Sequence, residues 1–230
     1  MCSKILLLTF TLLYGEAFAQ NNVLSSISKL GKKYTDFVPK GYQILDSVAG
    51  DLNEDSLTDA VLVLNFLHES ETTRVVSDSL FPRILLILFG SKNGFTLAEI
   101  SNKLVLGSNP FDWGDPLKSI KIETNSILID YWSGRPHGRW AATYKFKYQD
   151  KNWYLINRYR SSWSNDMCDG DNMALSEEKD ENFITGEIVD KTTSRDCKNA
   201  EKHTKIKSKP QIVLPNFNTK KDLENWFSNQ

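Results

Sequence analysis

The feature that most constrains this chain is a series of short runs in which apolar and polar residues alternate. Ile127, Ile129 and Tyr131 recur at every second position, residues 144–148 alternate strictly, and turn signals separate these runs from their neighbours. The turn signals are Asn93-Gly94, Thr124-Asn125 and Asp150-Lys151. A period of two is typical of a strand with one buried face, and turns this short join antiparallel strands. The pattern therefore predicts a mainly β fold, an antiparallel meander arranged as a sandwich or a propeller-like blade.

Residues 84–88 are consecutive aliphatics, which predicts a strand buried on both faces. Two helices are expected outside the strands. The apolar spacing of residues 21–36 predicts a short amphipathic helix. Near the C-terminus, Thr219 is a suitable N-cap for a helix over residues 220–229 with three apolar side chains on one face.

The predicted domain organisation is a β domain over residues 41–189 with helical segments on either side. Residues 20–40 form the N-terminal helical segment, and residues 190–230 form a polar linker followed by the C-terminal helix. Within the β domain, residues 164–181 are polar and acidic, which predicts a long loop. Residues 183–189 are expected to form one more strand, with Gly186 as a bulge.

Residues 1–19 predict a signal peptide. Lys4 gives the positive start, residues 5–13 are apolar, and Ala17-Phe18-Ala19 fits a cleavage site. The apolar run is much shorter than the roughly 20 residues of a membrane-spanning helix, and no later segment is long and apolar enough. We therefore expect a secreted or periplasmic protein without a membrane span; an apolar first helix of the domain is the alternative.

The net charge of the chain limits the classes of partner that it can bind. The formal net charge is -1, which argues against a binder of nucleic acid or anionic membranes, because such proteins carry a basic excess. We expect a glycan or a protein as partner.

Cys168 and Cys197 both follow the predicted signal. In an oxidising compartment such a pair is most simply a disulfide. On the chain-entropy model it would contribute roughly 3–4 kcal/mol. Two unpaired thiols or a metal pair are the alternatives, although no histidine stands at metal-ligand spacing from either cysteine.

An Asp-rich loop precedes the apolar strand predicted at residues 60–66. Its oxygen donors would be the side chains of Asp51, Asn53, Asp55 and Asp59 and the carbonyl of Leu57. A calcium ion takes six to eight oxygens at about 2.3–2.6 Å, and alternating Asp and Asn residues on a tight turn can supply them. The alternative is an Asx-rich turn that hydrogen-bonds its own backbone. If calcium binds, we expect a structural ion that braces a hairpin.

The same loop resembles the calcium loop of FG-GAP or VCBS-type segments. The resemblance covers residues 41–99 in a single copy, including Phe89-Gly90 and residues 92–95 at its end. It implies a calcium site at the loop. That family usually has glycine where this chain has Ser56, because glycine permits the sharp turn. Residues 41–159 more broadly resemble a family of exported bacterial proteins that share this loop and the Arg-Trp-x-x-x-Tyr-x-Phe-x-Tyr strand at residues 139–148, which implies a fold and a location but no activity.

A second cluster lies between two well-patterned strands. Its candidate ligand-binding residues are Trp132, Arg135, His137, Arg139 and Trp140. Flat aromatic rings beside guanidinium groups can hold a sugar ring or the carboxylate of a peptide or uronic acid. The alternative is a hairpin end at which Trp and Arg side chains stack on each other and cover the sheet edge.

No catalytic motif is recognisable. The three histidines are isolated, and neither a His-Glu-x-x-His nor a Gly-x-Ser-x-Gly motif occurs. We therefore expect an exported, calcium-stabilised binding or structural module. A carbohydrate- or peptide-binding module that uses residues 132–140 is the alternative. An unrecognised hydrolase is the third hypothesis, because a glycosidase needs only a pair of carboxylates.

Overall fold

The computed structural model describes residues 23–69, 81–108, 114–135, 138–167, 174–206 and 212–228. The smaller sheet contains β1 (Leu30–Gly31), β2 (Tyr42–Gly50), β3 (Asp59–Phe66), β4 (Ile84–Ser91) and β5 (Gly94–Ser101). The larger contains β6 (Leu117–Glu123), β7 (Ser126–Arg135), β8 (Gly138–Gln149), β9 (Asn152–Met167), β10 (Ala174–Asn182), β11 (Glu187–Thr193) and β12 (Asn199–Lys205). The helical elements are one turn at residues 23–26, the 3₁₀ turns Tyr34–Phe37 and Leu214–Asn216, and helix α1 (Thr219–Ser228).

Both sheets are antiparallel, and in most of each sheet neighbours in the sequence are neighbours in space. The strand orders are β1-β5-β4-β3-β2 and β12-β11-β10-β9-β8-β7-β6. Two turns use left-handed residue pairs, Thr124-Asn125 (φ 48° and 57°) and Asp150-Lys151 (φ 51° and 63°). Such pairs match the twist of the strands that they join. The predicted mainly β, antiparallel meander with a helix near each end is confirmed. The signal predicted at residues 1–19 lies outside the described residues.

The centre of the smaller sheet is buried on both faces. One set of alternating side chains, which includes Val63 and Leu85, joins the core between the two sheets. The other set, which includes Leu62 and Leu86, packs against the N-terminal segment that precedes β2. Side chains of this size contribute about 1.5–3 kcal/mol each when fully buried. The two-sided burial predicted for residues 84–88 is confirmed, since all are at most 1% exposed.

The N-terminal segment differs from the helix predicted over residues 21–36. In the described part only residues 23–26 are α-helical, and Leu30 pairs with Thr96 of β5. The Asp36 carboxylate then accepts the amide N–H groups of Lys32 (2.7 Å) and Lys33 (3.0 Å) and closes a 3₁₀ turn. Backbone pairing with β5 therefore outweighs the local helical spacing.

Three polar segments also differ from the prediction. Strand β10 takes up residues 174–181 of the loop predicted at residues 164–181, and β12 lies within the predicted polar linker. The strand expected at residues 183–189 begins later, as β11, and Gly186 sits in the preceding turn with φ +80°. These segments are strands because each continues the meander by pairing with its neighbour along its full length.

The Asn93-Gly94 hairpin is present, but its two loop residues are Lys92 and Asn93, since Ser91 pairs with Gly94. Gly94 has φ +135°, and a Cβ there would lie 2.3 Å from the carbonyl oxygen of Gly31. Glycine is therefore required for two reasons: the turn needs a positive φ at this position, and the backbone of β1 lies too close for a side chain.

Candidate functional site

A cavity of about 1010 Å³ lies between helix α1 and the ends of β7–β10. This volume is at the upper end of the range for small-molecule sites, roughly 300–1,000 Å³. The β11–β12 turn and residues 102–107 complete its walls. The cavity is therefore built mainly from the larger sheet, and α1 forms its other side.

Aromatic rings line much of this cavity. Trp140 on β8 meets Phe227 on α1 edge to face, with ring centroids 6.2 Å apart. Trp163 near the end of β9 and Phe81 line other parts of the wall. Indole and phenyl faces of this kind supply apolar contact area to a flat ligand.

The charges on the cavity wall are mainly positive. Arg83 also lines it, but two carboxylates hold its guanidinium: Glu69 at 2.8 Å and Asp115 at 2.5 Å. The other charged lining residues, within the described ranges, are Lys103, Arg139, Arg195, Lys220, Glu177 and Glu224. Four cations against two carboxylates leave the wall positive, although the chain as a whole has net charge -1. The cavity wall is therefore electrostatically more favourable to an anionic ligand than to a cationic one.

Helix α1 is anchored at its first residue. The Thr219 hydroxyl donates to the Leu104 carbonyl (2.6 Å), and the Thr219 amide donates to the Lys103 carbonyl (3.2 Å). The Asn218 side chain caps the helix by accepting the Lys221 amide N–H (3.0 Å). Together these bonds fix where α1 begins, and hence where its cavity-lining side chains lie.

A buried ionic network holds the first turn of α1 against β9 and β10. Asp222 on the helix accepts hydrogen bonds from Arg158, Arg160 (3.4 Å) and the Tyr144 hydroxyl (2.9 Å). Glu181 on β10 accepts from both arginines, at 2.6 Å and 2.8 Å. Two guanidinium groups are thus balanced by two carboxylates, as a buried charge network requires.

The electrostatics of this network fit its burial. Desolvation and the Asp222 carboxylate raise the pKa of the Tyr144 hydroxyl well above its usual value. Burial alone would raise the pKa of Glu181, but hydrogen bonds and charge from Arg158 and Arg160 outweigh it and hold that pKa below its usual value. The Trp226 ring lies over the Arg160 guanidinium at 4.8 Å and covers it from solvent. Asp222 and the arginines therefore position α1 rather than contact a ligand.

The structure brings two members of the predicted ligand-binding cluster to the cavity wall, and Trp132 is not among the lining residues. Trp132 pairs with Ala141 and Trp140 with Ser133, so the two rings lie on opposite faces of the sheet. Trp140 and Arg139 line the cavity. Trp132 instead lies 5.3 Å from the Lys118 ammonium. His137 and the Arg135 side chain lie outside the described residues.

The Asp loop is an ordered turn in which each Asp side chain accepts backbone N–H groups. Asp51 accepts from Glu54 (2.8 Å) and Ser56 (2.9 Å), and Asp55 accepts from Leu57 (2.8 Å). The side chain of Asn53 joins the same set by bonding to Asp55. Among the described residues, no group of three or more His, Cys, Asp or Glu side chains is arranged to hold a metal ion. This geometry is that of an Asx-rich turn.

Asp59 closes the loop from inside the fold. It is fully buried and accepts the amide N–H groups of Leu52 and Gly90, both at 2.8 Å. Burial raises the pKa of this carboxyl, and the two amides oppose the shift. Asp59 therefore ties the loop to β4.

For the predicted disulfide, Cys168 lies outside the described residues, and the pairing stays a prediction. Cys197 sits in the β11–β12 turn with φ +60°. This turn also carries Arg195, which lines the cavity.

Sequence reasoning missed the network and, of the four basic residues Lys103, Arg139, Arg195 and Lys220 on the cavity wall, named only Arg139. Lys103 and Lys220 are far apart in the chain and stand in segments without a motif. Arg158 and Arg160 do carry a local signal: on an alternating strand they occupy the same face as the core residue Leu155, across one bulge. Charged residues at core-facing positions indicate buried ion pairs.

Comparison with protein-family models, with curated proteins and with solved structures finds no match. The likeness to FG-GAP or VCBS-type segments therefore stays a prediction. Within the described ranges, no helix has the length and apolar character needed to cross a membrane.

Proposed function

We propose that this protein is an exported binding module that holds a carbohydrate in the cavity between α1 and the ends of β7–β10. The observation that carries this proposal is the cavity itself, with Trp140, Trp163 and Phe227 on its walls. Aromatic faces with a few polar and charged groups are the usual lining of a site for a small organic ligand. Export is proposed from residues 1–19, which lie outside the described residues.

Glycan-array binding tests the proposal with a matched pair of variants. Trp140→Ala removes an indole from the cavity, and Trp132→Ala removes an indole from the opposite face of the same hairpin. We expect Trp140→Ala to lose binding by at least about tenfold, which is 1.4 kcal/mol, and Trp132→Ala to bind like wild type. Equal loss in both variants, or no glycan bound by wild type, would contradict the proposal.

A third variant separates binding from folding. Trp140 also packs against the core, so its removal can lower stability. Phe227 lines the cavity but is 41% exposed, and Phe227→Ala leaves the core unchanged. We expect weaker glycan binding with a thermal midpoint close to that of wild type. Unchanged binding by Phe227→Ala would place the ligand elsewhere.

We also propose that a calcium ion braces the Asp loop, with Asp51, Asn53, Asp55, Asp59 and the Leu57 carbonyl as ligands. The supporting observation is that this loop joins the two sheets. Leu52 is buried in the shared core, and Glu54 accepts a hydrogen bond from Asn125 in the β6–β7 turn (2.9 Å). Binding requires the side chains of the loop to turn from the backbone N–H groups toward a shared centre.

Thermal unfolding with calcium and with a chelator tests this brace. A ligand that binds only the folded state adds about 2.7 kcal/mol to the free energy of unfolding when it is present at 100 times its dissociation constant. For a chain of this size this raises the thermal midpoint by roughly 5–11 °C. We expect the shift in wild type and not in Asp55→Ala. If neither protein responds, the loop is an Asx-rich turn and needs no ion.

A further inference from the structure

We infer that the ligand of the cavity is a linear oligosaccharide of several units, which lies across the ends of β7–β11, rather than a single sugar. This inference rests on the proposed function and adds the form of the glycan and the direction in which it runs. Its starting point is a row of five residues, one from each of five neighbouring strands, that all line the cavity. The row consists of Gly134, Arg139, Trp163, Ser176 and Thr193.

The strand register makes this row continuous. Gly134 pairs with Arg139, and Arg139 pairs with Trp163. Trp163 pairs in turn with Ser176, and Ser176 with Thr193. Adjacent strands lie about 4.8 Å apart, so the four spacings between β7 and β11 give a row of about 19 Å. A single pyranose ring covers only a part of this length, whereas a chain of several sugars covers all of it.

The facing wall of the cavity is elongated as well. Helix α1 contributes Lys220, Leu223, Glu224 and Phe227, which lie three or four residues apart on one face of the helix. The first and last of them are seven residues apart, which is about 10 Å along the helix axis. The volume of about 1010 Å³ agrees with this extent, because it suits a ligand at the upper end of drug size rather than a monosaccharide.

The polar groups of the row are spread along it instead of converging on one point. Arg139 stands on one side of Trp163, and the hydroxyl groups of Ser176 and Thr193 stand on the other, where the first donates to the second at 3.1 Å. A small ligand is held by a few convergent polar groups. A glycan chain instead offers hydroxyl groups at every unit, and these match hydroxyl and guanidinium partners along its length.

Calorimetry with glycans of increasing length tests the inference. The probes are homologous series of glucose, xylose, N-acetylglucosamine and galacturonic acid, each from the monosaccharide to the hexasaccharide. We expect at least one series in which the affinity of wild type rises by about tenfold or more from the monosaccharide to the tetrasaccharide. The affinity should then level off, because longer chains extend beyond the row.

A bulky residue at one end of the row tests where the chain lies. Thr193→Trp places an indole at the β11 end, and it should weaken binding of the hexasaccharide about tenfold more than binding of the disaccharide. Thr192→Trp is the matched control, since neighbouring residues of a strand project from opposite faces and Thr192 is not among the residues that line the cavity. The control should bind every length like wild type, and thermal unfolding checks that both variants are folded.

The outcomes separate this inference from the proposed function. Equal affinity for the monosaccharide and the hexasaccharide of every series that binds would overturn the inference and leave the proposed function standing. A loss in Thr193→Trp that is the same for short and long chains, or no loss at all, would also overturn it, because the ligand would not extend to β11. Binding of none of these sugars by wild type would overturn the proposed function as well.

Discussion

Asp222 joins helix α1 to the larger sheet, and Asp222→Ala is expected to release that contact. Its carboxylate accepts hydrogen bonds from Arg158, Arg160 and the Tyr144 hydroxyl, and it is only 10% exposed. Alanine would leave two buried guanidinium groups with a single carboxylate, that of Glu181. The network would then carry an uncompensated positive charge.

The magnitude follows from that burial. Removal of one partner from a buried ion pair costs about 3–5 kcal/mol, and the lower end applies here because Glu181 still contacts both arginines. A loss of about 3 kcal/mol lowers the midpoint by roughly 6–12 °C for a chain of this size. The cavity would also lose its α1 wall, so glycan binding should weaken in the same variant.

Thermal unfolding followed by circular dichroism is the assay, with Asp196→Ala as the matched control. Asp196 pairs with Lys198 on the surface, where an ion pair contributes little. We expect the control to melt with wild type. A midpoint for Asp222→Ala within about 2 °C of wild type would refute the idea that this network holds the helix.

Three further predictions concern the Asp loop and the network. Ser56→Gly should stabilise the protein by about 0.5–1 kcal/mol in urea unfolding, because Ser56 has φ +67° and glycine adopts this conformation without strain. A destabilised variant would contradict this. Gly90→Ala should lower the free energy of unfolding by about 1–3 kcal/mol, since the added Cβ would lie 2.2 Å from the Thr58 carbonyl oxygen. A thermal midpoint equal to that of wild type would contradict this expectation. Glu181 has a lowered pKa, so its contribution to stability is present above its ordinary value of 4.5 and is lost as pH falls through the lower folded pKa. Glu181→Gln should therefore flatten stability against pH in the acid range, and an unchanged slope would count against this assignment.

Much of the fold could be predicted because its strands carry local signals. Residues 127–131 and 144–148 alternate with period two, and their turns are residue pairs that accept positive φ. Strands β10 and β12 could not be predicted in this way. Their sequences are charged and have low strand propensity, and they are strands because neighbouring backbones pair with them. For β10, the distant Arg158 and Arg160 also balance the Glu181 carboxylate.

In the candidate site, too, features that depend on neighbouring residues could be predicted, and features that depend on tertiary contacts could not. The sequence indicated Arg139 and Trp140, since an aromatic and basic hairpin tip is visible in a short window. It could not show that Trp132 lies on the opposite face, because that depends on the strand register. It could not bring Lys103 to the start of α1 either, because that contact is a tertiary hydrogen bond from the Thr219 amide to the Lys103 carbonyl.

The most direct test of the central claim is to locate the bound glycan by the indole N–H signals of the tryptophans in a two-dimensional NMR titration. Single substitutions assign the signals. We expect the bound oligosaccharide to shift the signals of Trp140 and Trp163, which line the cavity, and to leave that of Trp132 in place. A shift confined to Trp132, or none at saturating ligand, would contradict it.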